Sequence, residues 1–248
     1  MVAGELAWRA GQAYKAAMKS LWPLLFACMT YAQLSAATQP ALPADGKQSS
    51  SEWKTLFDGK TLAGWRSLRS EKPGPGWTVA DGAITRTAAS GDLLTTGEFG
   101  DFELSLEWKI TEGANSGIIY RVGLAEEQTF HTGPEYQILD GLKARDRIDP
   151  KHATGSLYDL VAPSADRTLP VGQWNQTRII VTGWQVQHWL NGEKIIDIDL
   201  ASQEGQALIA ASKFRDMPNF AKLLRGHIAL QDHDEAVSFR NIRIRELK

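Results

Sequence analysis

Hydrophobic and polar residues alternate strictly through the segment DFELSLEWKIT: Phe102, Leu104, Leu106, Trp108 and Ile110 share one face, and Glu103, Ser105, Glu107 and Lys109 the other. A period of two is that of a strand with one buried side, so the first set belongs to a core. The polar set is either a solvated surface or the lining of a groove. Short runs rich in β-branched and aromatic residues, bounded by Gly, Asp, Asn and Pro, recur along the chain. They predict strands at residues 77–79, 83–87, 102–111, 117–122, 135–139, 176–182, 184–190, 194–198, 227–232 and 237–246.

Turn chemistry connects some of these. Asn191-Gly192 separates WQVQHWL from EKIIDID, and Thr182-Gly183 precedes the same first strand, so residues 176–198 read as a meander. In the closing stretch GHIALQDHDEAVSFRNIRIRELK, Ile228 and Leu230 form one apolar row and Gln231 and His233 a polar one. After a polar turn at Asp234 and Glu235, Val237, Phe239, Ile242 and Ile244 form another apolar row, which predicts a hairpin with the strand before it. Helical periodicity is confined to short stretches, with a turn or two expected near Phe220 to Leu224. Parallel βαβ architectures are therefore excluded. The expected fold is all-β, a two-sheet antiparallel jelly-roll sandwich, in one domain over residues 53–248.

The N-terminal residues 1–37 have another character. Lys19 is followed by an apolar stretch from Leu21 to about Thr30 and by small residues at Ser35 and Ala37, the pattern of a cleaved signal segment whose start is Met1 or Met18. The protein is expected to be exported, periplasmic or secreted. Residues 38–52 are too polar to fold and read as a linker. The apolar run is too short to cross a bilayer as a helix. The single cysteine, Cys28, lies inside the segment, and lipoprotein processing there is the lesser reading because Phe26 suits such a site poorly.

A net charge of −2 with interspersed signs supplies no electrostatic footprint for nucleic acid. Nine tryptophans are unusual for this length; most serve a core, and some offer flat apolar platforms of the kind sugars stack on. The chain lacks a Gly-x-Ser-x-Gly elbow, a phosphate-binding Gly-Lys-Ser/Thr loop, a His-Glu-x-x-His motif and a thiol outside the signal segment, which argues against the corresponding hydrolase, nucleotide and zinc chemistries. What remains is polar residues opposite apolar rows. If their strands are neighbours in one sheet, Glu107, Arg121, Glu135, Gln137, Gln231 and His233 converge on one face, an arrangement suited to acid–base chemistry on a polyol. Each has a plainer reading as a surface residue or a cross-strand ion pair, and His188 and His227 read as structural. A divalent ion held by Glu135 and His233, with Asp140, Asp146 and Asp149 available nearby, is a further option.

Eight segments in order, LFDGKTLAGW, GDFELSLEWKI, NSGIIYR, TGPEYQILD, GSLYDLVAP, GQWNQTRIIV, HWLNGEKI and GHIALQDHDEAVSFRNIRIREL, resemble the 3-keto-disaccharide hydrolase domain family. The resemblance implies a concanavalin A-like jelly roll that cleaves glycosides already oxidised at C3, with a sugar 3-dehydrogenase as upstream partner. A 3-keto group acidifies the C2 proton, so a base removes it, the C1 substituent leaves, and water adds. The expected roles are Glu135 or His233 as base or metal ligand, Arg121 and Lys213 as contacts to the enolate or hydroxyls, and Asn115, Gln137 and Gln231 as sugar-positioning groups. Tyr158 and Trp189 are expected to form a stacking wall. Asp234 departs from the family, which commonly has Gly there, and His131 is not required by the motif. Two alternatives stand beside this reading: a non-catalytic carbohydrate-binding module, and a conventional glycosidase using Glu107 and Glu135.

Overall fold

In the computed structural model the described residues are 52–233 and 235–248. The signal-like stretch, Cys28, nearly all of the linker and Asp234 lie outside them. Strands are numbered in chain order. One antiparallel sheet of eight runs β11 (Glu193–Asp199), β10 (Gln185–Leu190), β9 (Asn175–Thr182), β6 (Phe102–Ile110), β13 (Val237–Glu246), β4 (Ala83–Arg86) and β3 (Trp77–Ala80), with β1 (Lys54–Thr55) also paired to β13. A second sheet of five runs β2 (Trp65–Ser67), β5 (Leu93–Thr95), β12 (His227–Leu230), β7 (Asn115–Val122) and β8 (Glu135–Leu139). The expected sandwich and the β9–β10–β11 meander are both present. At its second turn Asn191 and Gly192 each take positive φ, 48° and 89°, the geometry that suits strand twist.

The core lies between the sheets. Phe102, Leu104, Leu106, Trp108 and Ile110 belong to the same buried cluster as Ile118, Tyr120, Tyr136, Ile138, Ile228 and Leu230. Each such side chain contributes roughly 1.5–3 kcal/mol relative to exposure. A polar link at His188 helps to tie the two sheets together across the core. His188 Nε2 meets the Tyr120 hydroxyl at 3.1 Å and Nδ1 meets the Gly155 carbonyl at 3.0 Å, so the ring donates to the carbonyl and accepts from the phenol. Burial pulls the His188 pKa down to about 4, and the imidazole stays neutral.

Two expectations fail. The closing stretch is not a hairpin: β12 pairs with β5 and β7, whereas β13 pairs with β1, β4 and β6 in the other sheet. Both strands bury an apolar row, and periodicity is blind to which sheet receives it. The crossing is pinned at Asp232, whose carboxylate takes Arg86 Nε at 2.6 Å and the Gly91 N–H at 2.6 Å. The second failure is a helix, α1 (Gln203–Ala211), that was not foreseen. It is capped by Ser202, whose hydroxyl accepts from the Gly205 N–H at 3.0 Å. Its only buried residue is Gly205, so it carries almost no apolar stripe for a sequence reading to detect.

Candidate functional site

The outward face of the five-stranded sheet holds the candidate site. On β8, Tyr136 and Ile138 turn into the core, so Glu135 and Gln137 point the other way. Across the ladder Gly117 pairs with Gln137 and Ile119 with Glu135, and Ala229 of β12 pairs with Ile119. Gln231, two residues beyond Ala229, reaches the same face.

Glu135 is the centre of this group and is only 4% exposed. Burial pushes its pKa up to about 8; the Lys213 charge and a hydrogen bond from Gln231 act against that, and Asp92 and Asp146 reinforce it. In the orientation its neighbours require, the Gln137 amide nitrogen donates to Glu135 Oε1 and to the Ser116 carbonyl, each at 3.1 Å, while its oxygen faces the Asn115 amide. Gln231 Oε1 is buried with no partner among the described residues, an acceptor beside the carboxyl that is left for something else.

A wall of loop residues stands over this floor. Lys213, in a short 3-10 turn (Lys213–Asp216), places its ammonium 4.1 Å from the centre of the Tyr158 ring and 5.6 Å from that of Phe130. Burial lowers its pKa, and the charges of Glu135, Asp159 and Asp146 partly restore it. The Tyr158 hydroxyl donates to Asp146 Oδ2 at 2.7 Å. His152 stacks on Tyr158 with 4.4 Å between ring centres and sits between two carboxylates: Nδ1 lies 2.8 Å from Asp146 Oδ1, and Nε2 3.3 Å from Asp159 Oδ1. Asp159 also accepts the Lys213 N–H at 2.7 Å. Asp146, His152 and Asp159 therefore brace the two groups nearest the carboxyl. Asp92 adds a further, half-buried acid, bonded to the Thr129 hydroxyl and to the Asp232 N–H at 2.8 Å; desolvation raises its pKa.

The structure thus unites Glu135, Gln137, Asn115, Gln231, Lys213 and Tyr158. His233 is exposed at the rim, where its charge acts on Asp92. Three expected members lie elsewhere. Arg121 takes φ +55°, which breaks the alternation of β7 and sends the guanidinium to the Gly183 carbonyl (2.5 Å), the Gly100 carbonyl (3.1 Å) and Asp101 (3.0 Å). Glu107 belongs to β6 of the other sheet and is bound by Arg240 at 2.7 Å and Asn241 at 2.9 Å. Trp189 is on β10 of that sheet too, 4.7 Å from the Arg178 guanidinium.

The remaining histidines are structural in their contacts: His227 Nδ1 meets the Thr95 carbonyl at 2.8 Å, and His131 stacks edge-on against Phe130. The residues missed from sequence are Asp92, Thr129, His152 and Asp159. An acid opening the fully buried strand LLT was the available signal for Asp92. The others sit on loops where no period applies.

For a divalent ion, the described residues that bring ligand atoms within 4.8 Å of one another are Asp149, His152 and Asp159, rather than Glu135 with His233. Asp140 is unsuited, because its carboxylate is taken up by the N–H groups of Gly113, Leu142 and Lys143.

The family model of the 3-keto-alpha-glucoside-1,2-lyase-like domain matches residues 52–245. The chain belongs to that family. Within the 3-keto-alpha-glucoside-1,2-lyase-like group, a curated relative is the 3-keto-disaccharide hydrolase of Bacteroides thetaiotaomicron, 34% identical over 228 positions, covering 78% of each chain. A crystal structure from Parabacteroides distasonis, provisionally named a glycosyl hydrolase, superposes with a TM-score of 0.74 at 30% identity, over 79% of this chain and 94% of that one. A Bacillus subtilis protein with a galectin-like fold, 13% identical, covers 81% of this chain and 98% of its own with a TM-score of 0.51, a likeness of fold alone.

Proposed function

We propose that this carbohydrate-cleaving enzyme acts on 3-keto-glycosides and that Glu135 is its base. The observation that carries the reading is a buried carboxyl, raised to about 8, facing a lysine whose own pKa is lowered. A base with a pKa near the working pH is suited to removing a carbon-bound proton. In the proposed reaction Glu135 takes the C2 proton, the electron pair moves onto the C3 oxygen, and the Lys213 ammonium stabilises the resulting enolate. The enolate then expels the C1 substituent, which leaves as an alcohol by taking the proton back from Glu135, and water adds across the new C1–C2 double bond, its hydroxyl to C1 and its proton to C2. Gln231 Oε1, Gln137 and Asn115 receive the sugar hydroxyls, and Tyr158 offers its ring as a wall. The curated relative's name supports the substrate class. A conventional two-carboxylate glycosidase is disfavoured, because Glu107 is bound on the far side of the sandwich from Glu135.

The test is to incubate the protein with a 3-keto-β-glucoside and with its unoxidised parent. Cleavage of the oxidised sugar alone, lost in Glu135→Gln, is the expected result; cleavage of the parent, or full activity in that variant, overturns the proposal. Export is proposed on the signal-like residues 18–37, and N-terminal sequencing of protein recovered from the producing cells checks it. An upstream sugar 3-dehydrogenase follows from the chemistry, since the 3-keto group must be made before this step.

A further inference from the structure

Three tryptophans outside the core, Trp53, Trp174 and Trp189, gather on the opposite side of the sandwich from the site. On the outer face of the eight-stranded sheet a single row crosses the strands in register: Trp189 of β10 faces Arg178 of β9, Arg178 faces Ser105 of β6, Ser105 faces Arg243 of β13, and Arg243 faces Thr55 of β1. From β10 to β13 the row spans about 14 Å at the usual strand spacing. Half-buried indole rings stand along it. Arg178 lies over Trp189, Arg243 and Arg245 lie over Trp53 at 4.7 and 4.9 Å, and Arg240 and Lys109 lie over Trp174 at 4.0 and 4.9 Å.

The charges do not balance locally. Glu103 takes both Arg178 and Arg245, and Glu107 takes Arg240. Arg243 and Lys109 have no carboxylate within ion-pair distance among the described residues, and each rests on an indole ring. Along the same row, at Thr55, Ser105 and Arg243, lies a cleft of about 350 Å³ whose wall also includes Glu107, Gln176 and Asn241. Hydroxyl and amide groups, flat rings and surplus positive charge occur here together.

We propose that this face is a second binding site, which takes an acidic oligosaccharide such as a uronic acid chain. The rings offer apolar platforms for sugar faces, the cleft supplies hydrogen-bond partners for ring hydroxyls, and Arg243 and Lys109 meet the carboxylates through charge-assisted bonds. A length of three strand spacings suits an oligosaccharide rather than a single sugar. The site is independent of Glu135, which faces the other way from the other sheet.

The test is calorimetric titration of the full chain with an oligogalacturonate, a malto-oligosaccharide of equal length and an oligouridylate of equal length. The expected result is saturable binding of the oligogalacturonate, at least about tenfold tighter than either comparison ligand and weakened by salt. Arg243→Gln and Trp53→Ala each reduce that affinity by about tenfold, while Glu135→Gln leaves it unchanged and Arg243→Gln leaves turnover of a 3-keto-glucoside unchanged. Absence of saturable binding overturns the proposal. So does equal affinity for the neutral chain, equal affinity for the oligouridylate, or oligogalacturonate binding that survives in both face variants.

Discussion

A β-carbon built on Gly117 would stand 2.1 Å from Glu135 Oε1. The glycine of NSGIIYR is therefore the space the carboxyl occupies. Gly117→Ala is expected to displace that carboxyl and lower kcat by about tenfold to a hundredfold while the sandwich remains folded. Near-unchanged far-UV circular dichroism alongside the kinetic loss is the check.

Glu135 must be ionised to act as a base. With its pKa at about 8, kcat/KM is expected to rise with pH and to level off above that value. Lys213 holds this pKa down, so Lys213→Met moves the profile to higher pH as well as lowering its plateau. A profile that falls from pH 6 to 8 would refute the role of base.

Two buried groups set opposing slopes of stability with pH. The folded pKa of Glu135 lies above its ordinary 4.5, so the folded protein holds the extra proton between pH 4.5 and about 8 and loses stability as pH rises through that window. His188, ordinarily 6.5 and about 4 when folded, has the opposite sign: its contribution is complete above pH 6.5 and is lost as pH falls towards 4. Thermal unfolding of Glu135→Gln should therefore show a gain over the wild type that grows from pH 5 to 8. His188→Phe leaves the Tyr120 hydroxyl without its partner and costs roughly 1–3 kcal/mol at pH 7, with a flatter acid limb.

His152 braces Asp146 and Asp159 without facing the carboxyl itself. His152→Asn is expected to reduce kcat by about ten- to a hundredfold, with a smaller change in KM, because Tyr158 and Lys213 lose their common support. Equal effects on kcat and folding stability in Tyr158→Phe and His152→Asn would instead mark the network as a packing element.

Arg121 and Glu107 provide the contrasting case. Glu107→Gln should leave turnover within about twofold, since the side chain belongs to an ion pair on the far sheet. Arg121→Gln removes a buried cation from two carbonyls and Asp101, and its cost, about 3–5 kcal/mol, should appear in denaturant unfolding.

The strands were legible because a buried row leaves a period of two; β8 and β13 have the limits their alternation implies. Glu135, Gln137 and Gln231 were legible for the same reason, as polar residues opposed to Tyr136, Ile138 and Leu230. Sheet membership was not, because Phe239 and Ile228 look alike in sequence whichever layer they enter, and that ambiguity put Glu107 on the wrong face. Arg121 failed through one positive φ that alternation cannot anticipate. His152 and Asp159 act from loops, where contacts are set by tertiary folding alone.

Because β13 is an interior strand, flanked by β6 on one side and by β1 and β4 on the other, the larger sheet closes only when β13 inserts between them. Its partners at Lys54 and Thr55 lie at the opposite end of the domain. Pairing of Lys54 with Ile244 must therefore wait until β13 has been made, and contacts so distant in sequence make the search slow. A chain built this way passes through an interval in which β4 and β6 present unpaired edges, and it is then at its most prone to aggregation.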